Sequence, residues 1–162
     1  MEFIRKILVL ATLLPLLSGP MLSAEVFSAW CKDYPTQDSG GDWSHNTGTE
    51  TWNQEGEIPK PSDEVWIDGG RCVQVFDGWH TVSKLEMRSN ASGSRLEVSG
   101  GALEVTGIAK FEGAGNSIVV SGGNLTIYWA YGGIDGLQIT SGLFEIEGAN
   151  WDTIVNLSQS GG

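Results

Sequence analysis

Apolar and polar residues alternate along the second half of the chain, and the alternation recurs in blocks. Residues 95–105 read RLEVSGGALEV, residues 117–127 read SIVVSGGNLTI and residues 136–146 read GLQITSGLFEI. Each block holds two segments of alternating apolar residues around a turn that contains glycine. Alternation with a period of two predicts β-strands with one buried face. Residues 65–75, VWIDGGRCVQV, are interpreted as an earlier, degenerate copy of the same block.

The repeat predicts an all-β fold in which about four coils of roughly 20 residues stack as a β-solenoid. Equivalent apolar residues at Leu96, Ile118 and Leu137 are separated by 22 and then 19 residues. One coil is too short to bury its apolar row, but coils stacked about 4.8 Å apart join their rows into one core. A third strand per coil is expected at residues 108–111 and around residues 129–134. An antiparallel β-sandwich of hairpins with Ser-Gly-Gly turns is the alternative fold.

Residues 1–24 have the three-part pattern of a cleavable signal peptide. Two basic residues precede an apolar run over residues 7–17, and Leu22-Ser23-Ala24 supplies small residues before a cut ahead of Glu25. A membrane anchor is the alternative, but this run is much shorter than the roughly 20 residues that span a bilayer. We therefore expect a secreted or cell-surface protein with no transmembrane segment after cleavage.

Two further regions follow the signal peptide. Residues 25–62 show no sustained period and carry three tryptophans among Gly, Asp, Asn and Thr, which predicts an irregular N-terminal cap with two short strands. Residues 63–162 contain the solenoid repeats. An open last coil would expose a strand edge, so we expect either a cap formed by the final residues or a C-terminal truncation of a longer gene product.

Several stretches resemble the N-terminal part of exported bacterial β-solenoid proteins. They are Trp52, Ile58-Pro59, the segment SDEVWIDGG at residues 62–70 and the segment LEVSGGALEVTG at residues 96–107. The proteins concerned include autotransporter-passenger-like proteins and repeat proteins with PEP-CTERM-type sorting tails. The likeness covers about residues 50–148. It implies a right-handed parallel β-helix, and it implies no reaction.

Charge and cysteine content narrow the partners and the compartment. The formal charge is −11, and removal of the signal peptide with Glu2, Arg5 and Lys6 makes it −12. Nucleic acid is therefore not expected as a partner, because its binding requires basic patches. Extracellular polysaccharide or cell-surface components are the expected partners. The two cysteines, Cys31 and Cys72, are expected to form a disulfide in an oxidising compartment, with two unpaired thiols as the alternative.

No catalytic, metal-binding or cofactor-binding residues are expected, because the sequence lacks the motifs that such sites use. His45 and His80 are the only histidines, no Gly-x-Ser-x-Gly occurs, and Cys and His never form the close pairs of a zinc site. The glycine pairs lie between strands, so they are interpreted as turns and not as phosphate-binding loops. We therefore expect a protein that is not an enzyme.

Outward-facing carboxylates are the strongest charged feature of the repeats. By alternation, Glu97 and Glu104 face outward, as do Glu145 and Glu147. Stacked acids of this kind either bind cations or form a solvated face that keeps the solenoid soluble. The second interpretation is the simpler one.

Seven tryptophans are unusual in so acidic a chain. Trp79, Trp129 and Trp151 are the candidates for exposure and for contact with a glycan, while the alternative is that they cover the ends of the core. The sequence favours a structural or adhesive solenoid segment without catalytic activity. A carbohydrate-binding or carbohydrate-cleaving β-helix is the second hypothesis.

Overall fold

The computed structural model describes residues 24–29, 41–44, 51–54, 56–88, 93–149 and the backbone of residues 157–159. The described part contains only strands and turns, and it has no helix that could cross a membrane. The strands are β1 Val26–Ser28, β2 Gly41–Asp42, β3 Glu64–Asp68, β4 Cys72–Val75, β5 Trp79–Arg88, β6 Arg95–Val98, β7 Ala102–Glu112, β8 Ser117–Gly132, β9 Gly136–Ala149 and β10 Leu157–Gln159.

Parallel pairing between strands of successive coils produces a β-solenoid with about four turns and confirms the predicted fold class. Each full coil has three faces. The first face contains β2, β4, β6, the starts of β8 and β9, and β10. The second contains the starts of β5 and β7 and the middles of β8 and β9. The third contains β1, β3 and the ends of β5, β7, β8 and β9.

The register confirms the alignment of the three later repeats and corrects the first. Leu96 pairs with Ile118, and Ile118 pairs with Leu137. The interpretation of residues 65–75 as an equivalent copy is wrong, because Val65 pairs with Leu85 on the third face, whereas Leu96 pairs with Val73 on the first. Successive coils therefore contain 23, 22 and 19 residues.

The error has a physical cause in the corners of the solenoid. The pair Gly69-Gly70, with φ of 63° and 78°, turns the chain from the third face to the first. The Ser-Gly-Gly segments of later coils lie between the first and second faces instead. At that corner a Cβ on Gly123 would overlap the carbonyl oxygen of Gly101 in the coil before it. Glycine is required at both corners, so the sequence of a glycine turn does not show which of the two corners it forms.

The interior is a stack of apolar rows, one row for each inward position. On the first face the row is Val73, Leu96, Ile118 and Leu137, all of which are buried. Burial of each such side chain contributes about 1.5–3 kcal/mol relative to exposure. Near the third face, Ala109 and Ala130 occupy inward positions with no solvent exposure. The alternation read from the sequence therefore separates core from surface correctly.

The two ends of the core differ. At the N-terminal end, Phe27, Trp43 and Trp52 are fully buried, and the Trp43 and Trp52 rings meet edge to face with centroids 5.0 Å apart. The Trp52 indole N–H donates to the Trp43 carbonyl oxygen at 2.9 Å. In the last described coil, by contrast, Phe144 and Ile146 are only partly buried. Three aromatic side chains thus cover the N-terminal end of the core.

Replacement of Leu125 by alanine is expected to lower the free energy of unfolding by about 2–5 kcal/mol, because Leu125 is fully buried in the central rows. Leu143→Ala is the matched control, since Leu143 points outward on the same face and is half exposed; its effect is expected to stay within about 0.5 kcal/mol. Urea denaturation followed by circular dichroism measures both. Equal losses would contradict the register.

Candidate functional site

The third face carries three rows of outward side chains that cross the coils. Because the coils are in register, each outward residue lies directly beside its equivalents in the coils on either side. The first row is Glu64, Lys84, Ile108, Trp129 and Gly148. The second row is Trp66, Glu86, Lys110 and Tyr131. The third row is Asp68, Arg88 and Glu112.

Glu86 is the centre of a network of ion pairs on this face. Its side chain is only 5% exposed, and its carboxylate lies 3.7 Å from the Lys84 ammonium and 3.8 Å from that of Lys110. The Arg88 guanidinium donates a hydrogen bond to the same carboxylate. A carboxylate removed from water is costly unless it is paired. Three cations from two adjacent coils provide that pairing.

The cations of the network have further partners at its edges. The Lys84 ammonium donates to the Glu64 carboxylate at 3.2 Å. The hydrogen bond between Lys110 and Glu112 raises the pKa of the lysine and lowers the pKa of the glutamate. The Arg88 guanidinium lies 3.9 Å from the centroid of the Trp66 ring, a cation–π contact. Because their hydrogen bond shifts both pKa values away from neutrality, Lys110 and Glu112 remain charged at neutral pH.

An aromatic patch adjoins this network. We define it as Ile108, Trp129 and Tyr131, which are 49%, 51% and 54% exposed. Ile108 pairs with Trp129 across the coils, and Lys110 of the network pairs with Tyr131. The patch and the charged pairs are thus neighbours on one surface, held by the same two strands, β7 and β8.

The position of the Trp129 ring depends on a residue of the next coil. Trp129 pairs with Gly148, and a Cβ built on Gly148 would overlap atoms Cε3 and Cζ3 of the indole. The six-membered ring therefore lies over the backbone of Gly148, in the space that the Cβ atom of any other residue at this position would occupy. Half of the Trp129 side chain stays exposed, so the ring is supported from one side and accessible from another.

Acidic side chains collect at the corner between the second and third faces. A hydrogen bond to the Glu104 carboxylate raises the pKa of Tyr128, and the charges of Glu104, Glu147 and Glu145 add to the effect. Glu97 lies apart on the first face, where Gln74 and Arg95 donate to its carboxylate at 3.1 Å and 3.2 Å. Among the described residues no group of three or more His, Cys, Asp or Glu is arranged to hold a metal ion.

The two predicted glycan-contact residues that the structure describes, Trp79 and Trp129, do not lie together. Trp79 is 74% exposed, but it lies on the second face, whereas Trp129 lies on the third. Trp151 lies outside the described residues. The expected exposure of Trp79 and Trp129 is therefore observed, on two different faces, while their contact with a glycan stays a prediction.

The remaining predicted residues occupy structural positions or lie outside the described part. The His80 ring lies 5.9 Å from the Trp43 ring, and its Nε2 is 3.0 Å from the Asp77 carbonyl oxygen. Cys72 is buried at the start of β4. Its proposed partner Cys31 lies outside the described residues, as does His45, so the disulfide stays a prediction.

Sequence reasoning missed Ile108, Tyr131 and the network around Glu86. One signal was present: Trp129 and Tyr131 are two residues apart in a strand, so they share a face. Predicting the pair between Glu86 and Lys110 requires the register between their two coils. The sequence repeat does not include residues 84–88, so it did not provide this register.

No family model matches this chain, and comparisons with curated proteins and with solved structures yield no match. The resemblance to exported bacterial β-solenoid proteins therefore stays a prediction. The fold and the candidate site rest on the residues and geometry of the chain itself.

Tyr128 is expected to ionise at a higher pH than an ordinary tyrosine, because the neighbouring carboxylates oppose its negative charge. Ultraviolet absorbance titration of a Tyr34→Phe/Tyr131→Phe variant reports Tyr128 alone. Adding Glu104→Gln to that background should lower the pKa of Tyr128, because the principal hydrogen bond to a carboxylate is lost. An unchanged pKa would show that this contact does not form.

Proposed function

We propose that this chain is a non-catalytic, exported β-solenoid that serves as a rigid scaffold and attaches to extracellular or cell-surface material through its third face. The aromatic patch is the observation that supports this proposal. Three half-exposed apolar side chains lie together on a strongly acidic protein. Contiguous apolar surface rimmed by polar groups is typical of interaction sites.

Stacking between coils makes the patch suitable for attachment. Ile108 and Trp129 are fixed in register by the paired strands beneath them, and the side chains of the neighbouring inward positions are buried. A surface whose geometry exists before binding loses little conformational entropy when a partner arrives. The scaffold role and the attachment role therefore depend on the same parallel pairing.

The charge of the protein limits the class of partner. With a formal charge of −11, the chain repels nucleic acid and anionic lipid surfaces. On the third face itself, Lys84, Arg88 and Lys110 each pair with a carboxylate, so no uncompensated basic group is provided by them. Neutral or weakly charged extracellular polymers fit this surface better than polyanions.

Attachment is expected to require the third face. The mature chain is applied to cellulose, chitin, peptidoglycan and collagen, each immobilised on a solid support, and the retained fraction is measured. Trp129→Ala/Tyr131→Ala should lose most of the retention on whichever support holds the parent chain. The matched control is Trp79→Ala/Phe76→Ala, which removes two exposed aromatic side chains outside the third face.

Two results would contradict the attachment proposal. One is a folded parent chain that none of the four supports retains above an inert protein of similar charge. The other is equal retention of the two double variants. Circular dichroism of each variant establishes that the β structure is intact, so a loss of retention reports the surface and not unfolding.

Export is expected to produce a mature chain that begins at Glu25 and contains a disulfide between Cys31 and Cys72. Mass spectrometry of the full-length chain after expression in a secreting host identifies the N-terminus. Alkylation before and after reduction counts the thiols. An uncleaved chain retained in the membrane would contradict export, and two reactive thiols in the oxidising compartment would contradict the pairing.

A further inference from the structure

We propose that the ligand of the third face is a neutral glycan, whose sugar rings stack on Trp129 and Tyr131. This inference rests on the proposed attachment through the same face and names the class of partner. Three observations support it: the position of the Trp129 ring, the spacing of the Trp129 and Tyr131 rings, and the paired charges beside them.

The seat of Trp129 is the first observation. Its six-membered ring lies over Gly148, and any side chain at that position would displace it. The ring therefore has a supported position and an accessible surface, with about half of the side chain exposed. The C–H groups on one face of a sugar ring bind aromatic rings because the aromatic face is electron-rich and both surfaces leave water.

The spacing of the two rings is the second observation. Trp129 and Tyr131 are two residues apart on the outer side of β8, so their backbone positions are about 7 Å apart. Both side chains are about half exposed. Two stacking positions in line suit consecutive or nearby rings of one chain-like ligand, whereas a single sugar would occupy only one of them.

The balance of charge is the third observation. Lys110 lies beside Tyr131, and its ammonium pairs with Glu86 and Glu112. Such a pair still offers N–H donors and carboxylate acceptors to hydroxyl groups at its exposed side. A polyanion would find no excess positive charge here. A ligand rich in hydroxyl groups and without net charge uses both members of the pair.

Binding is tested by isothermal titration of the mature chain with neutral hexasaccharides of cellulose, chitin, xylan, mannan and β-1,3-glucan. Polygalacturonate and heparin serve as anionic comparisons. At least one neutral hexasaccharide should bind, and it should bind at least about tenfold more tightly than its monosaccharide, because only the longer ligand reaches both rings.

Four variants test whether the ligand binds to the third face. Trp129→Ala and Tyr131→Ala should each weaken the hexasaccharide by about tenfold, which corresponds to about 1.4 kcal/mol. Gly148→Ala should weaken it similarly although both aromatic rings are retained, because the new Cβ displaces the Trp129 ring. Trp79→Ala, the removal of an exposed tryptophan from another face, should leave the affinity unchanged.

The Gly148→Ala variant distinguishes specific stacking on the Trp129 ring from non-specific adhesion to exposed apolar surface. Non-specific apolar adhesion depends on exposed area, and a displaced Trp129 ring exposes at least as much area as before. Specific stacking depends on the position of the ring. If Gly148→Ala binds the hexasaccharide as well as the parent chain does, the proposed geometry is wrong.

The remaining outcomes overturn the glycan proposal, and they differ in whether attachment through the third face still stands. Binding only to the polyanions, or retention on collagen that the Trp129→Ala/Tyr131→Ala variant loses, identifies the same face with another partner. A dimer seen by light scattering and dissociated by Trp129→Ala would assign the patch to a second copy of the chain. Retention that is insensitive to the third face would overturn both proposals.

Discussion

In-register stacking of apolar side chains in successive coils is the constraint on which the rest of the structure depends. Leu96, Ile118 and Leu137 occupy one row because each lies at the same inward position of its coil. No coil buries this row alone, so the rows and the parallel hydrogen bonds form together. The register that aligns the inward rows also aligns the outward ones. The surface chemistry of the third face is therefore a consequence of how the core packs.

That consequence explains why charged and aromatic groups lie side by side on the third face. Glu86 is buried, and Lys84 and Arg88 in its own strand and Lys110 in the next coil compensate its charge. The same step from coil to coil places Trp129 over Gly148, where the missing side chain makes room for the ring. The arrangement of charged pairs beside two accessible rings therefore follows from the pairing between coils.

The sequence predicted the parts of this account that depend on short-range alternation. The period of two and the repeat near 20 residues were sufficient for the fold class and for buried residues such as Val98 and Ile127. They failed where glycine turns at different corners look alike, as at Gly69-Gly70. They also failed to separate Trp79 from Trp129, because the face of an exposed residue depends on where each corner falls. Tyr131 was accessible to the same reasoning but was overlooked.

The most direct test of the central claim, that the third face binds a neutral glycan, is the indole N–H spectrum of the ¹⁵N-labelled chain. Each of its seven tryptophans provides one reporter, and Trp43, Trp79 and Trp129 lie in different parts of the described fold. During titration with the neutral hexasaccharides, the Trp129 signal should move while those of Trp43, Trp52 and Trp79 stay in place. A shift of the Trp79 signal without that of Trp129, or no shift with any hexasaccharide, would contradict the claim.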